Sequence, residues 1–281
     1  MASIQVVTDS ACDLMPATTE ERDVRVVPLT IRFGSEELVD REELSSKEFW
    51  DRVITGPEMP ATSAPSPGAF EQAFLEAREA GSAGVLCATI SSGLSATFQS
   101  ARTAADAVSD RIPVRVVDTR SVTMGQGLLV LAAADLAASG ASLDDMAATL
   151  EDMKQRTHVY GVVDSLDYLK RGGRIGGAAH LVGSLLSIKP VIEVRDGVVE
   201  VESKQRTRSR SLQYLANKAI EAEPLERLGV ANGVAADFDE VLEMLRRARP
   251  EHELVTSDLG PVVGSHAGPG SVGVCFITKA R

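Results

Sequence analysis

A strand, a polar turn and a helix follow one another directly between residues 85 and 105, and this unit most constrains the fold. Residues 85–90 form a short apolar run typical of a buried strand, and alanines then recur at helical spacing at positions 96, 101, 104 and 105. The same order returns with a strand at 114–118 and a helix at 124–138. Strands that alternate with helices pair in parallel, so the sequence predicts an α/β fold with a mostly parallel sheet flanked by helices.

The turn after the first of these strands is rich in hydroxyl groups. It contains Ser91, Ser92 and Ser95, with Gly93 between them. The carboxyl ends of parallel strands are where open α/β sheets bind ligands, and a helix N-terminus favours an anion. Glycine allows the backbone to approach a ligand or a neighbouring segment closely. The sequence therefore indicates an anion site here; the alternative is that the serines only cap the following helix.

A second, smaller α/β domain is predicted to begin at residue 157, so residues 1–156 and 157–281 form the two domains. Two strand-like runs at 190–195 and 198–202 flank Asp196 and Gly197. This dipeptide favours the tight turn of a β-hairpin, so the second domain is expected to hold a mixed sheet. A single strand is predicted for residues 24–33, and an apolar helix for 178–188 that packs in the interior or lines an apolar pocket.

Composition excludes several classes of partner. The net charge of −11 argues against nucleic acid or an anionic membrane as a partner. The three cysteines are widely spaced and form no Cys-x-x-Cys pair, so no metal site is expected. No apolar run approaches the length of a membrane span, and the first residues lead straight into a strand without a signal-peptide pattern. We therefore expect a protein of the cytoplasm.

Three further segments carry candidate functional side chains. Residues 56–67 contain four prolines and read as a long loop that holds Thr62 and Ser63. Arg171 opens a glycine-rich loop that also contains Arg174, and His266 lies in a Gly/Pro-rich segment before the last strand. Each has a simpler interpretation: the hydroxyls brace a loop, and the arginines and the histidine are solvated.

Six stretches, in order from the first strand to the last, resemble the DegV family of bacterial fatty-acid-binding proteins. They span residues 6–10, 60–66, 91–101, 168–174, 204–207 and 264–270. The resemblance implies that a fatty acid such as palmitate or oleate binds with its carboxylate between the domains and its tail in an apolar tunnel of the C-terminal, lipid-binding domain. The ligand contacts that it implies are Thr62, Ser63, Ser92, Gly93, Ser95, Arg171 and His266.

The resemblance also implies a role in a two-protein system. Related proteins present the carboxylate to a separate fatty acid kinase, which forms the acyl phosphate, so the protein is expected to be a carrier and not an enzyme, without a cofactor. Arg206, in a basic stripe at 204–210, is expected to face outward and to dock this partner. A monomer that contacts the membrane transiently to exchange lipid is expected. Asn232 and Gly233 depart from the family's usual pair of residues.

Two other functions compete with the carrier. One is a serine esterase that uses Ser92 or Ser95 as nucleophile with His266 as base. The nucleophile elbow of such enzymes needs Gly-x-Ser-x-Gly, and the segment from Gly93 to Thr97 fails at the last position. The other is a sugar-phosphate or nucleotide binder, against which the sequence shows no Gly-x-Gly-x-x-Gly after a strand.

Overall fold

The computed structural model describes residues 3–181 and 188–280. The strands within them are β1 (Ile4–Asp9), β2 (Val24–Val27), β3 (Thr30–Phe33), β4 (Glu36–Val39), β5 (Ala61–Ser63), β6 (Gly84–Thr89), β7 (Val114–Asp118), β8 (Thr157–Val162), β9 (Lys189–Arg195), β10 (Val198–Gln205), β11 (Leu225–Gly233), β12 (Leu254–Asp258) and β13 (Ser271–Thr278).

The α-helices within the same residues are α1 (Pro16–Glu21), α2 (Ser46–Thr55), α3 (Pro67–Glu79), α4 (Thr97–Ala107), α5 (Thr123–Ala138), α6 (Leu143–Met153), α7 (Asp167–Arg171), α8 (Arg208–Ile220), α9 (Phe238–Ala248) and α10 (Pro261–Ala267). Short 3₁₀ turns occupy Ser10–Cys12, Lys154–Arg156 and Gly176–Leu181. No helix in the described ranges is both long and apolar enough to cross a membrane.

The first half of the chain is built on a four-stranded parallel sheet in the order β2-β1-β6-β7. Every residue of β6 is buried, as a strand covered on both faces must be. Phe70 and Phe74 of α3 pack on one face together with alanines of α4, while α5 covers the other face. The predicted α/β fold class is confirmed.

The second half is built on a six-stranded mixed sheet in the order β10-β9-β8-β13-β11-β12. Asp196 and Gly197 both have positive φ, 51° and 83°, so the predicted hairpin with its primed turn is present between β9 and β10. One face of the sheet packs on α8 and α9, and the other packs on α5. Helix α5 therefore lies between the two sheets, which explains why its first twelve residues are buried.

A third sheet, β4-β3-β5, was not expected from the sequence. The predicted strand at 24–33 is divided between two sheets, because Pro28 has no N–H and the Leu29 N–H is bonded to Ser10 Oγ. The predicted loop at 56–67 contains β5, which pairs antiparallel with β3 through Thr62 and Ile31. The prediction of an irregular segment at Thr62 was therefore wrong, and sheet pairing fixes the direction of this side chain.

Two other local predictions need correction. His266 lies in the last turn of α10, not in a loop, and Pro261 opens that helix. Residues 178–181, where the apolar helix was expected to begin, belong instead to the 3₁₀ turn Gly176–Leu181. Val182, Leu185 and Leu186, which the prediction assigned to the same helix, lie outside the described residues.

Candidate ligand-binding cavity

A cavity lies between the two halves of the chain, beside the N-terminal end of α5. Its volume of about 120 Å³ is roughly ten times the space that one water molecule needs. Apolar residues from both halves form most of its wall, among them Leu29, Ile90, Val122, Val159, Ile192, Val199, Leu259 and Val262. Such a wall, with few polar groups, is typical of a site for an apolar ligand with one polar end.

Thr62, Ser95, Arg174 and His266 bring polar side chains to this cavity from four separate segments. The other polar side chains in its wall are Thr123, Tyr160, Glu193 and Ser271. Thr62 Oγ1 lies 2.9 Å from His266 Nε2, so β5 and α10 meet here. Neighbouring Ser63 is exposed, because side chains alternate in direction along a strand. The structure thus brings three of the predicted ligand contacts, Thr62, Ser95 and His266, to one cavity.

Burial shapes the electrostatics of His266. Loss of water around the imidazole, followed by the charge of nearby Arg174, lowers its pKa from 6.5 to about 4. The ring is therefore neutral at pH 7 and carries one N–H donor and one acceptor. Its Nδ1 is buried without a hydrogen-bond partner in the described structure, and the Gly172 backbone lies so close to this atom that a Cβ there would collide with it.

Arg174 supplies the positive charge of the cavity wall, although the sequence pattern favoured Arg171 as the ligand contact. Its Nε donates to Leu94 O at 2.9 Å and its Nη1 donates to Gly172 O at 2.6 Å. These bonds anchor the guanidinium across the two halves of the chain. Arg171, the arginine that the sequence favoured, ends α7 and is exposed, and it does not line the cavity. Arg171 and Arg174 both lie in the stretch that resembles the family, so the resemblance alone could not decide which of them contacts the ligand.

The serine turn after β6 is held by the β9–β10 hairpin. Ser91 is buried, and its hydroxyl donates to Gly197 O at 2.7 Å. A Cβ added to Gly93 would lie 2.6 Å from the same carbonyl, so a glycine is required for this close approach. The close backbone approach that Gly93 indicates in the sequence is therefore an approach to the hairpin. Gly93 itself is exposed.

The two candidate nucleophiles of the turn have different surroundings. Ser92 is exposed, and its hydroxyl donates to Asp118 Oδ2 at 2.5 Å. The Ser95 hydroxyl lies 2.8 Å from Thr97 Oγ1 and accepts a hydrogen bond from the Thr97 N–H. Thr97 is the first residue of α4. Ser95 therefore stands at a helix N-terminus and in the cavity wall at once, as an anion site requires.

The basic stripe at 204–210 divides into two environments. Arg206 is exposed, as the sequence predicts. Arg208 is half-buried and bonds Asp237 and Asp164 as well as Gly270 O, so it serves the fold. Within the residues that the structure describes, no cluster of three or more His, Cys, Asp or Glu side chains is arranged to hold a metal ion.

Comparison with known proteins agrees with this architecture. The model of the DegV family, described as uncharacterised proteins, matches residues 3–279. A DegV domain-containing protein of Listeria monocytogenes is 34% identical over 280 residues, which are 98% of this chain and 99% of that protein.

Solved structures extend the likeness to the whole fold. A DegV family protein from Thermus thermophilus, described by its fatty acid binding, has a TM-score of 0.88 at 34% identity and covers 99% of this chain and all of its own. A stearic acid-binding protein from Eubacterium ventriosum has a TM-score of 0.90 at 27% identity, with 98% of each chain covered. With sequence and fold matched over nearly its full length, this chain belongs to the DegV family.

Proposed function

We propose that this protein binds a long-chain fatty acid such as palmitate or oleate. The carboxylate lies between the domains, at Thr62, Ser95, His266 and Arg174, and the acyl chain lies in the apolar cavity. The observation that carries the proposal is this combination of an apolar cavity with one group of hydroxyl, imidazole and guanidinium donors. The fatty acid binding described for the Thermus thermophilus relative supports it.

The energetics fit an amphipathic ligand. An ionised carboxylate leaves water only if it gains several strong hydrogen bonds, and charged donors form the strongest. The acyl chain contributes about 0.8 kcal/mol per buried methylene, so a palmitate tail contributes roughly 11 kcal/mol before ordering and association costs are subtracted. The neutral His266 adds a donor without the cost of burying a second cation.

The proposal extends to presentation of the bound carboxylate to a separate fatty acid kinase. Arg206 is exposed on an acidic chain and is suited to dock a partner with an acidic surface. The protein then acts in the cytoplasm as a monomeric carrier that contacts the membrane transiently to exchange lipid. Ser63, Ser92, Gly93 and Arg171 lie outside the cavity wall or are exposed, and a direct role for them in binding stays a prediction.

The contacts disfavour the esterase alternative. A serine nucleophile needs a histidine base within hydrogen-bond reach. His266 Nε2 instead contacts the Thr62 hydroxyl, while Ser92 contacts Asp118 and Ser95 contacts Thr97.

Native mass spectrometry of protein purified from a bacterial host tests the proposal. We expect one fatty acid per chain, which organic extraction removes and added palmitate restores. Palmitate at a hundred times its Kd should stabilise the delipidated protein by about 2.7 kcal/mol, measured as a rise in Tm. Absence of both the lipid and the Tm shift, or turnover of p-nitrophenyl palmitate that is lost in Ser95→Ala, would contradict the carrier.

A further inference from the structure

Asp13 joins the two halves of the chain at the start of α10, the helix that brings Val262 and His266 to the cavity wall. It follows the 3₁₀ turn Ser10–Cys12, has a positive φ of 51°, and is 3% exposed. Its Oδ1 accepts the Gly260 N–H at 3.0 Å, and its main-chain oxygen accepts the Ser257 hydroxyl. One residue of the N-terminal half therefore binds a side chain of β12 and the residue that directly precedes α10.

Helix α10 connects this contact to the polar group of the cavity. Gly260 is the residue before its first turn, and His266 lies in its last turn, about 9 Å further along the helix axis. Midway, Gly264 packs against the rings of Phe49 and Trp50 so closely that a Cβ there would lie 2.6 Å from a Phe49 ring carbon. A short helix held at its start and its middle has little freedom at its end, where His266 meets Thr62.

We propose that Asp13 is a positioning residue for the fatty-acid site and acts through α10. Its hydrogen bond to Gly260 places the helix so that His266 Nε2 reaches Thr62 and the ligand carboxylate. This inference rests on the proposed function for the ligand, but the geometric step from Asp13 to His266 is independent of it.

The contact requires an acceptor at position 13 and does not require a negative charge. Burial raises the pKa of Asp13 to about 7, although the hydrogen bond from Gly260 and the charge of Arg41 lower it; the charge of Asp40 raises it further. Asp9 and the buried thiols of Cys12 and Cys275 lie near the same cluster. The carboxyl group keeps an acceptor oxygen in either ionisation state, and an asparagine side chain keeps one as well.

NMR titration of the His266 ring protons measures the pKa of this side chain. In the folded protein this pKa reports the surroundings of the imidazole, and a general loss of stability does not change it. We expect Asp13→Ala to release α10, to expose the imidazole and to raise its pKa from about 4 toward 6.5. Palmitate affinity should fall about tenfold, as for one lost hydrogen bond to a charged group. Asp13→Asn should preserve both values. Asp40→Ala is the matched control, because Asp40 is a buried carboxyl of the same cluster that faces Ser10 and Arg41.

A double-mutant cycle tests whether Asp13 affects palmitate binding through His266. If Asp13 acts through His266, then Asp13→Ala added to His266→Ala should weaken palmitate binding by less than about twofold further. Gly260→Ala perturbs the same contact from the other side, since its Cβ would lie 3.0 Å from Asp13 Oδ1, and it should also raise the His266 pKa. This second variant decides the question if Asp13→Ala does not fold.

The inference would be overturned by an unchanged His266 pKa in both Asp13→Ala and Gly260→Ala, or by affinity losses that add fully in the double mutant. A shift of equal size in Asp40→Ala would also overturn it, because the effect would then belong to the cluster in general. If wild-type protein fails to bind palmitate while Asp13→Ala still raises the His266 pKa, the proposed function fails and the positioning contact stands.

Discussion

Thr62 and His266, which are 204 residues apart in the chain, lie in direct contact, with 2.9 Å between Thr62 Oγ1 and His266 Nε2. Strand pairing with β3 fixes the first residue, and helix α10 carries the second. The imidazole is neutral near pH 7, so the pair adds no charge to the interior. When the ring N–H is on Nε2 and donates to Thr62 Oγ1, the Thr62 hydroxyl is free to donate to an anion. This contact defines where the ligand carboxylate is expected.

Removal of the Thr62 hydroxyl is predicted to weaken palmitate binding. Thr62→Ala loses a hydrogen bond to a charged ligand group, worth about 1.5–3 kcal/mol, so the Kd should rise by roughly 10- to 150-fold in calorimetric titration. Thr62→Ser keeps the hydroxyl and should bind nearly as the wild type does. Thr103→Ala on the exposed face of α4 is the control. An unchanged Kd in Thr62→Ala would show that this hydroxyl only braces β5.

His266 is predicted to make the protein less stable in mild acid. Its pKa is 6.5 when unfolded and about 4 when folded, so between these values the unfolded chain binds a proton that the folded protein does not. Stability is therefore lost as the pH falls from 6.5 to 4, by about 3 kcal/mol in total. Relative to wild type, His266→Gln should escape this loss, measured by urea unfolding at several pH values.

The comparison with wild type is needed because Asp9, Asp13 and Asp40 act in the opposite direction. Burial raises the pKa of each from 3.8 to about 6 or 7, so their contribution to stability is lost as the pH rises from about 4 to those values. This background is common to both proteins and cancels in the difference. His180→Gln, at an exposed histidine, is the control and should follow the wild-type pH profile. Parallel profiles for wild type and His266→Gln would refute the assignment.

Replacement of Gly93 by alanine is predicted to separate the serine turn from the β9–β10 hairpin. The new Cβ would lie 2.6 Å from Gly197 O and 3.0 Å from Val198 Cγ1, so one of the two segments must move. Overpacking of this kind costs about 1–3 kcal/mol, and displacement of Ser95 should also weaken palmitate binding. Gly68→Ala in α3, where the nearest atom would be 3.7 Å away, should be neutral or stabilising. Equal thermal stability of the two variants would refute the contact.

Arg206 and Arg208 are predicted to have separable effects. Arg206→Ala should leave palmitate affinity intact and slow acyl-phosphate formation with the cognate kinase, more strongly at low salt, where electrostatic steering is greatest. Arg208→Ala should instead lower the free energy of unfolding, because it removes bonds to Asp237 at 2.8 Å and Asp164 at 3.0 Å. Arg246→Ala, at an exposed arginine of α9, is the control for a lost surface charge. A loss of palmitate binding in Arg206→Ala would show that this residue belongs to the ligand site and not to a docking surface.

The sequence alone determined the features that depend on neighbouring residues. Alternating strand and helix patterns predicted the parallel sheet, and Asp196-Gly197 predicted the hairpin because few other dipeptides adopt two positive φ angles easily. Ser45 and Glu48 form the capping box that their spacing indicates, and Ser66 with Pro67 begins α3. Each of these signals acts within one turn of the chain, so its outcome hardly depends on the rest of the fold.

Only the tertiary structure decided the conformation and contacts of short segments that are stabilised by residues distant in the sequence. The three residues of β5 are a strand because β3 lies beside them, and His266 is helical because α10 packs on Phe49 and Trp50. The way in which the two halves of the chain meet likewise decides that Arg174, and not Arg171, lines the cavity. It also brings Asp13 into contact with Gly260. An isolated segment of three to seven residues gains too little from its own hydrogen bonds to select such a conformation, so only packing between the two halves settles it.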